Sequence, residues 1–388
     1  MIHLSNFPVD SRVQRQAYAL ADRGAEIDCI CVTPDRTITH GAGTIRLHSV
    51  GMNKRRGTLP SYVLSYASFF ARAAKILARL DAERPFDLVE VHNMPNFLTF
   101  AGFAAKRRGA PVLLDIHDTF PELFATKFGL SRRHPLTRLM ELEERYSGAF
   151  ADAMLCVTQE AADRLNSRGV KVGSTSVVMN SPDEGVFGVE RPPVPIPSVG
   201  PTRAIYHGGL ATRFGIEPLI EGFSRIQDEL PDTSLTVCGA DHDTVPVVDL
   251  ARRHGARNVF IEPHATPFRD IPAILAACHI GIVPTLHDEF TELLLPVKLL
   301  EYIHMGLPVV VSKLPVVTNY FSDDEVRFCE AGSAESLAEA VRDVIRDPEA
   351  SRARAVKATE RLRDIAWSRQ RQSYLNVVDS LVKARATA

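Results

Sequence analysis

Cysteine is scarce and scattered, six residues in 388 (Cys29, Cys31, Cys156, Cys238, Cys278, Cys329), with no C-x-x-C pair and no dense cluster. That pattern excludes a disulfide-stapled secreted scaffold and fits a reduced compartment. Cys29 and Cys31 form a C-x-C pair in an apolar run, where residues two apart share one strand face and pack. Long apolar runs are missing as well: none approaches the roughly 20 residues of a membrane helix, and the opening Met-Ile-His-Leu-Ser is no signal peptide. The expectation is a cytoplasmic protein that neither spans a membrane nor is exported. An excess of one charge is also absent, since 45 Lys+Arg stand against 47 Asp+Glu for a net charge of −2. Nothing in that balance asks for nucleic acid.

What is present is length and a repeating pattern. A chain of 388 residues exceeds what one hydrophobic core organises, so two domains are expected. Short β-branched apolar runs alternate with helical stretches, the mark of parallel sheets built from βαβ units. In the first half the strands are predicted at 2–5, 26–32, 45–50, 88–91, 112–116, 153–157 and 176–179, the first of them short. In the second half they are predicted at 204–207, 234–238, 259–261, 280–283, 309–311 and 326–328. Between the halves runs Arg191-Pro-Pro-Val-Pro-Ile-Pro-Ser-Val-Gly-Pro201, where missing N–H donors forbid helix and central strand. The boundaries expected are 1–188 and 203–366 for two α/β domains, 189–202 for a Pro-rich linker and 367–388 for a C-terminal helix and tail.

Several segments carry candidate chemistry. Pro296-Val-Lys-Leu-Leu-Glu-Tyr-Ile-His-Met-Gly-Leu-Pro-Val-Val310 reads as a helix opened by proline and stopped at Gly306. The helix N-terminus at Val297 suits a phosphate, Lys298 adds a charge, and the Glu301 carboxylate can accept from two vicinal hydroxyls. Lys298 and Glu301 read equally as a solvated pair on an amphipathic helix. Ile205-Tyr-His-Gly-Gly-Leu-Ala-Thr-Arg-Phe-Gly215 places Gly208 and Gly209 after a strand, where a backbone can approach an anion closely, with Arg213 as the nearby cation. His92 and His117 fall at strand C-terminal ends, where open α/β sheets bind ligands. Asp118 and Glu122 follow His117. Asp10 and Arg12 read as site residues or as a helix N-cap and a solvated charge.

Pro-x-Lys-Leu-x-Glu-Tyr followed by Gly-x-Pro-Val-Val resembles the donor-binding segment of family-4 (group 1) retaining glycosyltransferases of the GT-B fold. The 205–215 loop, the stretch Asn6-Phe-Pro-Val-Asp-Ser-Arg and the turn at Asn180 resemble other parts of that family, so the resemblance spans nearly the whole chain. It implies two Rossmann-like parallel-sheet domains facing a cleft, acceptor-side first and nucleotide-sugar-binding second, with the C-terminal helix crossing back to the N-terminal domain. It implies His117, Arg213 and Lys298 as catalytic, and Gly208, Gly209, Arg213, Val297, Lys298 and Glu301 as donor-binding. Asp10, Arg12, His92, Asp118 and Glu122 become candidates for the cleft and the acceptor. The family's two-glutamate pattern is broken, Leu293 standing at the first position beside Glu292, and Gly209 stands where many relatives have arginine.

The reaction implied is attack by an acceptor hydroxyl on the anomeric carbon of a nucleotide sugar, UDP- before GDP-linked, with retention. Polysaccharide, glycolipid or glycoconjugate biosynthesis is the expected setting, and the acceptor is a sugar, a lipid-linked molecule or a small molecule. No cofactor and no metal are expected, the acidic pairs at 241–243 and 323–324 being read as caps or solvated charge. A basic cluster at 54–56 followed by an aromatic and aliphatic helix through residue 72 suggests peripheral contact with an anionic membrane, or a core-facing helix after a charged loop. Two other readings stay open: a nucleotide-sugar epimerase of the same fold, and a catalytically silent donor-binding subunit. A dinucleotide oxidoreductase is disfavoured because neither half has G-x-G-x-x-G after its first strand.

Overall fold

The computed structural model describes residues 1–7, 10–52, 59–239, 247–262 and 266–386. They form two compact units, Met1–Asn180 with Ser368–Ala388, and Ser181–Trp367.

The first unit carries β1 (Glu26–Cys31), β2 (Arg36–His40), β3 (Gly43–Ser49), β4 (Val89–His92), β5 (Val112–Ile116), β6 (Ala153–Cys156) and β7 (Ser174–Val177). β4, β5, β6 and β7 pair in that order, all parallel, while β1 pairs with β3 in parallel. The strand predicted at 2–5 is a single bridging residue: Ile2 pairs with Ile30 on one side and Val91 on the other, joining the two ladders. Its N–H donates to Glu90 O at 2.9 Å, and its carbonyl accepts from His92 N–H at 3.0 Å. β2 was not anticipated. It runs antiparallel to β3 as a largely exposed edge, so Arg-Thr-Ile-Thr-His needs no apolar run to hold its place.

β4, β5 and β6 are buried at every position, as strands covered on both faces must be. Two of those positions are Glu90 and Asp115, and a carboxylate in such a strand is tolerated only with partners. One partner comes from the chain's far end. The helix Trp367–Ala386 buries Tyr374, Leu375 and Val378; Tyr374 Oη donates to Glu90 at 2.7 Å, and Gln370 accepts from Met179 N–H at 2.8 Å.

The second unit is an all-parallel sheet of β8 (Thr202–His207), β9 (Thr233–Cys238), β10 (Val259–Ile261), β11 (Ile280–Val283), β12 (Val309–Ser312) and β13 (Arg327–Cys329). Its order is β10-β9-β8-β11-β12-β13, so the winding reverses between β8 and β11. Ligands bind outside strand C-termini at such a switch point. The helix Ile216–Ile226 buries Ile216, Leu219, Ile220, Phe223 and Ile226 along one face in the core of this unit. Each such side chain contributes about 1.5–3 kcal/mol relative to exposure.

The Pro-rich segment belongs to the second unit and is pinned there. Arg191 N–H donates to His304 O at 2.9 Å and Val194 N–H to Gly306 O at 2.7 Å, using donors on either side of the Pro192-Pro193 pair. All six cysteines are free and buried.

Candidate active site

In the second unit, β8 delivers the chain to His207, and the glycine loop begins. A 3-10 turn, Thr212–Phe214, leads to Gly215 at φ +74°, which turns the chain into the helix Ile216–Ile226. A Cβ on Gly215 would lie 1.8 Å from the carbonyl oxygen of Pro284, so only glycine lets the loop close on the end of β11. Arg213 lies on this turn with its guanidinium 5.6 Å from the Phe290 ring centroid, and its Nη1 is buried with no hydrogen-bond partner among the described residues.

The helix Val297–His304 buries Leu299, Leu300, Tyr302 and Ile303 and has Pro296 at its N-cap with no side-chain cap. Val297 is therefore its first residue, at the end that attracts anions. Lys298 Nζ donates to Tyr206 Oη at 2.9 Å and stands 4.0 Å from the Tyr206 ring centroid and 5.0 Å from that of Phe214. It also comes within 3.0 Å of where a Gly208 Cβ would be, while Gly209 O accepts from Tyr206 Oη. Burial pulls the Lys298 ammonium down to about 7, with Glu301 opposing. Lys298 is thus not a solvated charge.

Glu301 is buried, with one carboxylate oxygen 2.7 Å from His207 Nε2. His207 is in turn bound to Tyr302, whose hydroxyl lies 2.9 Å from its backbone nitrogen and 3.0 Å from Nδ1. Leu293 is an apolar core residue and Glu292 lies 3.5 Å from His287, so Leu293 offers nothing polar at the first position of the two-glutamate pattern.

A second cluster occupies the strand ends of the first unit. Asp10 caps the helix Ser11–Ala21, accepting from Arg12 N–H and Val13 N–H. The reading of Arg12 as a solvated charge is overturned: its guanidinium is buried, with Nη2 and Nε donating to the two oxygens of Asp115 at 2.6 and 2.9 Å. Nη1 donates to Val178 O at 2.7 Å and to Asn180 Oδ1 at 3.2 Å. Gln16 adds a third donor to Asp115 at 2.9 Å. His117 Nε2 lies 3.3 Å from Asp115 and 3.1 Å from His92 Nδ1, and its Nδ1 lies 3.9 Å from Asp10.

Burial opposes ionisation of Asp115, yet Arg12 and then His117 hold its carboxyl well below the usual range. Burial likewise opposes a charged His117, but Asp115 and then Asp10 raise its pKa above the ordinary value. The side chain of His117 keeps 14% of its surface, whereas His92 has none. His92 is fully buried and lies against His117. The buried carboxylate of Glu122 binds Arg164 at 3.0 Å and also Arg168. Asp118 lies at the chain turn fixed by Asn93, whose amide donates to Asp118 O at 2.7 Å.

His92, Asp115 and His117 place ligand-type atoms within 4.8 Å of one another. Three donors already occupy Asp115, two of them from the Arg12 guanidinium, and that charge opposes a cation. Of the acidic pairs, Asp324 bonds Lys357 at 3.1 Å, and 241–243 lie outside the described residues. In the helix Leu59–Glu83, Phe69, Ala73 and Leu77 are core residues while Val63 and Leu64 face outward; the basic cluster at 54–56 lies outside the described residues. Asp115, His207, Tyr206 and Tyr302 were missed as site residues. The available signals were an aspartate inside Val-Leu-Leu-Asp-Ile and a histidine directly before the glycine pair.

Two α/β units, the second with a glycine loop, a half-buried lysine and a buried glutamate at its switch point, define a GT-B protein. Residues 9–181 match the model of the glycosyl transferase 4-like domain and residues 194–362 that of the glycosyl transferases group 1. The chain belongs to this group 1 family of glycosyltransferases. Its structure is similar to sucrose-phosphate synthase from Thermosynechococcus elongatus, with TM-score 0.74, 16% identity and coverage of 96% of this chain and 93% of that one. It is also similar to Anabaena HepE in complex with UDP, with TM-score 0.70, 16% identity and coverage of 98% of each chain. In sequence it is 24% identical over 237 residues to a glycogen synthase of Mycobacterium tuberculosis, matching 60% of this chain and 55% of that relative. The chain thus spans about half the length of that curated relative.

Proposed function

We propose that this protein transfers a sugar from a UDP-sugar to an acceptor hydroxyl with retention of configuration and without a metal, in polysaccharide or glycoconjugate synthesis. The observation that carries the reading is the pairing of Lys298 with the glycine loop beside Glu301, all at the C-terminal end of β8. A cation and a helix N-terminus stabilise charge growing on a leaving diphosphate, and Arg213, whose buried Nη1 has no partner among the described residues, adds a second donor. In the first unit, His117 is the accessible group that a sugar can meet, with Asp10 beside it. UDP bound to HepE and the glycogen synthase similarity support the donor and the setting.

A thermal-shift screen against UDP, GDP, ADP and their sugars tests the donor, since a ligand at about 100 times its Kd adds roughly 2.7 kcal/mol of stability. UDP should give the largest shift, and a shift from ADP alone would refute the assignment. Turnover of the identified donor should survive EDTA, the cationic side chains serving where a metal otherwise would; loss restored by magnesium would refute metal independence. The anomeric proton of the product, read by NMR, decides between retention and inversion. A silent donor-binding subunit is the second reading, favoured by Leu293 and Gly209; it predicts binding without transfer or donor hydrolysis. Peripheral membrane contact through 54–72, from the cytoplasmic side, is proposed from the exposed Val63 and Leu64, and failure to sediment with anionic liposomes at low salt would dismiss it.

A further inference from the structure

The Glu301 carboxylate is not a free-standing acceptor at the end of a helix turn. A carboxylate can only accept, so the 2.7 Å contact requires the proton on His207 Nε2. The neutral ring then has an acceptor at Nδ1, and the Tyr302 hydroxyl, 3.0 Å away, donates to it while accepting from the His207 backbone N–H at 2.9 Å. Burial holds the Tyr302 phenol well above its ordinary pKa, so the proton stays in place. The chain of bonds Tyr302–His207–Glu301 has one direction, and all three residues are buried.

The fold makes room for it at Gly281, in the middle of the fully buried strand β11. A Cβ there would come within 2.4 Å of the Tyr302 ring, so the missing side chain is the space through which the ring crosses the strand to reach His207 on β8. Two adjacent residues of one helix thus act as a pair: Glu301 presents an acceptor, and Tyr302 reaches back to fix the imidazole that orients it.

We propose that His207 and Tyr302 are positioning residues for ribose recognition, locking Glu301 so that its second oxygen and remaining lone pairs face vicinal hydroxyls of a nucleoside diphosphate. The inference rests on the reading of Glu301 as the ribose acceptor. A carboxylate held in one rotamer by a partner loses less entropy on binding than one that must be ordered by the ligand.

The test is calorimetric titration of UDP against 2′-deoxy-UDP, and of GDP against 2′-deoxy-GDP, with wild type, Glu301→Gln, His207→Phe, His207→Gln and Tyr302→Phe. A hydrogen bond to a charged group sets the scale, so wild type should prefer its ribonucleotide by about tenfold to a hundredfold. Glu301→Gln and His207→Phe should both bring the preference to within about threefold, because either change removes the oriented carboxylate. Tyr302→Phe should lower it partly, and His207→Gln, with an amide N–H available, should keep more of it than His207→Phe. Wild type without a preference sinks the reading of Glu301 and the inference with it. Preference lost in Glu301→Gln but intact in a folded His207→Phe sinks the inference alone. Should His207→Phe fail to fold, an undiminished preference in Tyr302→Phe overturns the inference in its place.

Discussion

Lys298 has its ammonium within 4.0 Å of the Tyr206 ring centroid and 5.0 Å of that of Phe214, and burial, opposed by Glu301, brings its pKa down to about 7. A lysine in the unfolded chain titrates near ~10.4, so between about 7 and about 10 the unfolded state holds the extra proton. Stability therefore rises with pH across that window, and the burial penalty is fully present below about 7. Lys298→Met should raise the melting temperature of the ligand-free protein at pH 6, with the advantage shrinking toward pH 10. Nucleotide binding should move the other way. UDP favours the ammonium, so wild-type affinity should fall as pH rises from 7 to 9, while the variant binds weakly and with a flat profile. A variant that melts no higher at pH 6 would show that the cage stabilises the lysine rather than straining it. Lys298 and Glu301 were legible in the sequence because one short helix carries both. Tyr206 and Phe214 were not, since nothing local marks residues more than eighty positions away as the walls of its site.

At the scale of elements, β4 and β5 each carry one acid in a fully buried strand, and each acid is answered from elsewhere. Asp115 is answered by the first helix through Arg12, a separation of 103 residues. Removing one partner of a buried pair leaves an uncompensated charge and costs about 3–5 kcal/mol. Arg12→Met should lower stability to urea by that order, and Arg12→Met with Asp115→Asn should recover part of it. The same pair sets His117. Its folded pKa is raised, so its favourable contribution is complete below the unfolded value near ~6.5 and is lost as pH rises through the folded one. Asp115→Asn should bring the His117 titration down, as followed by NMR of the ring protons; an unchanged titration would remove Asp115 from the account. The strands themselves were readable from β-branched runs, and those of the second unit lie within one or two residues of where they were expected. The exceptions have physical causes: β2 is an exposed edge with no hydrophobic signature, and the first strand is reduced to Ile2, which pairs on both sides without needing length. The role of Arg12 is ambiguous in the sequence because an arginine near a helix start looks solvated until its long-range partner is known.

At the scale of the whole molecule, the first unit is assembled from two separated pieces of chain, Met1–Asn180 and the segment from Ser368 onward, with the second unit continuous between them. The late segment supplies the hydroxyl that bonds Glu90 and the amide oxygen that accepts from Met179 N–H. Residues 1–180 expressed alone should unfold at markedly lower urea than the same unit in the full chain, because Glu90 would then be buried without its partner. Residues 181–367 expressed alone should unfold cooperatively. Co-expression of 368–388 as a separate peptide should restore part of the lost stability, and no difference between 1–180 and the intact unit would contradict the assignment. The order of synthesis follows from this path. Domains usually complete themselves in the order in which they leave the ribosome. Here the part made first must wait with a polar gap in its sheet while the second unit, made later, closes up. The first unit is completed only by residues that emerge after position 367, so premature termination in the last helix would yield a chain whose second unit closes while its first stays unfinished.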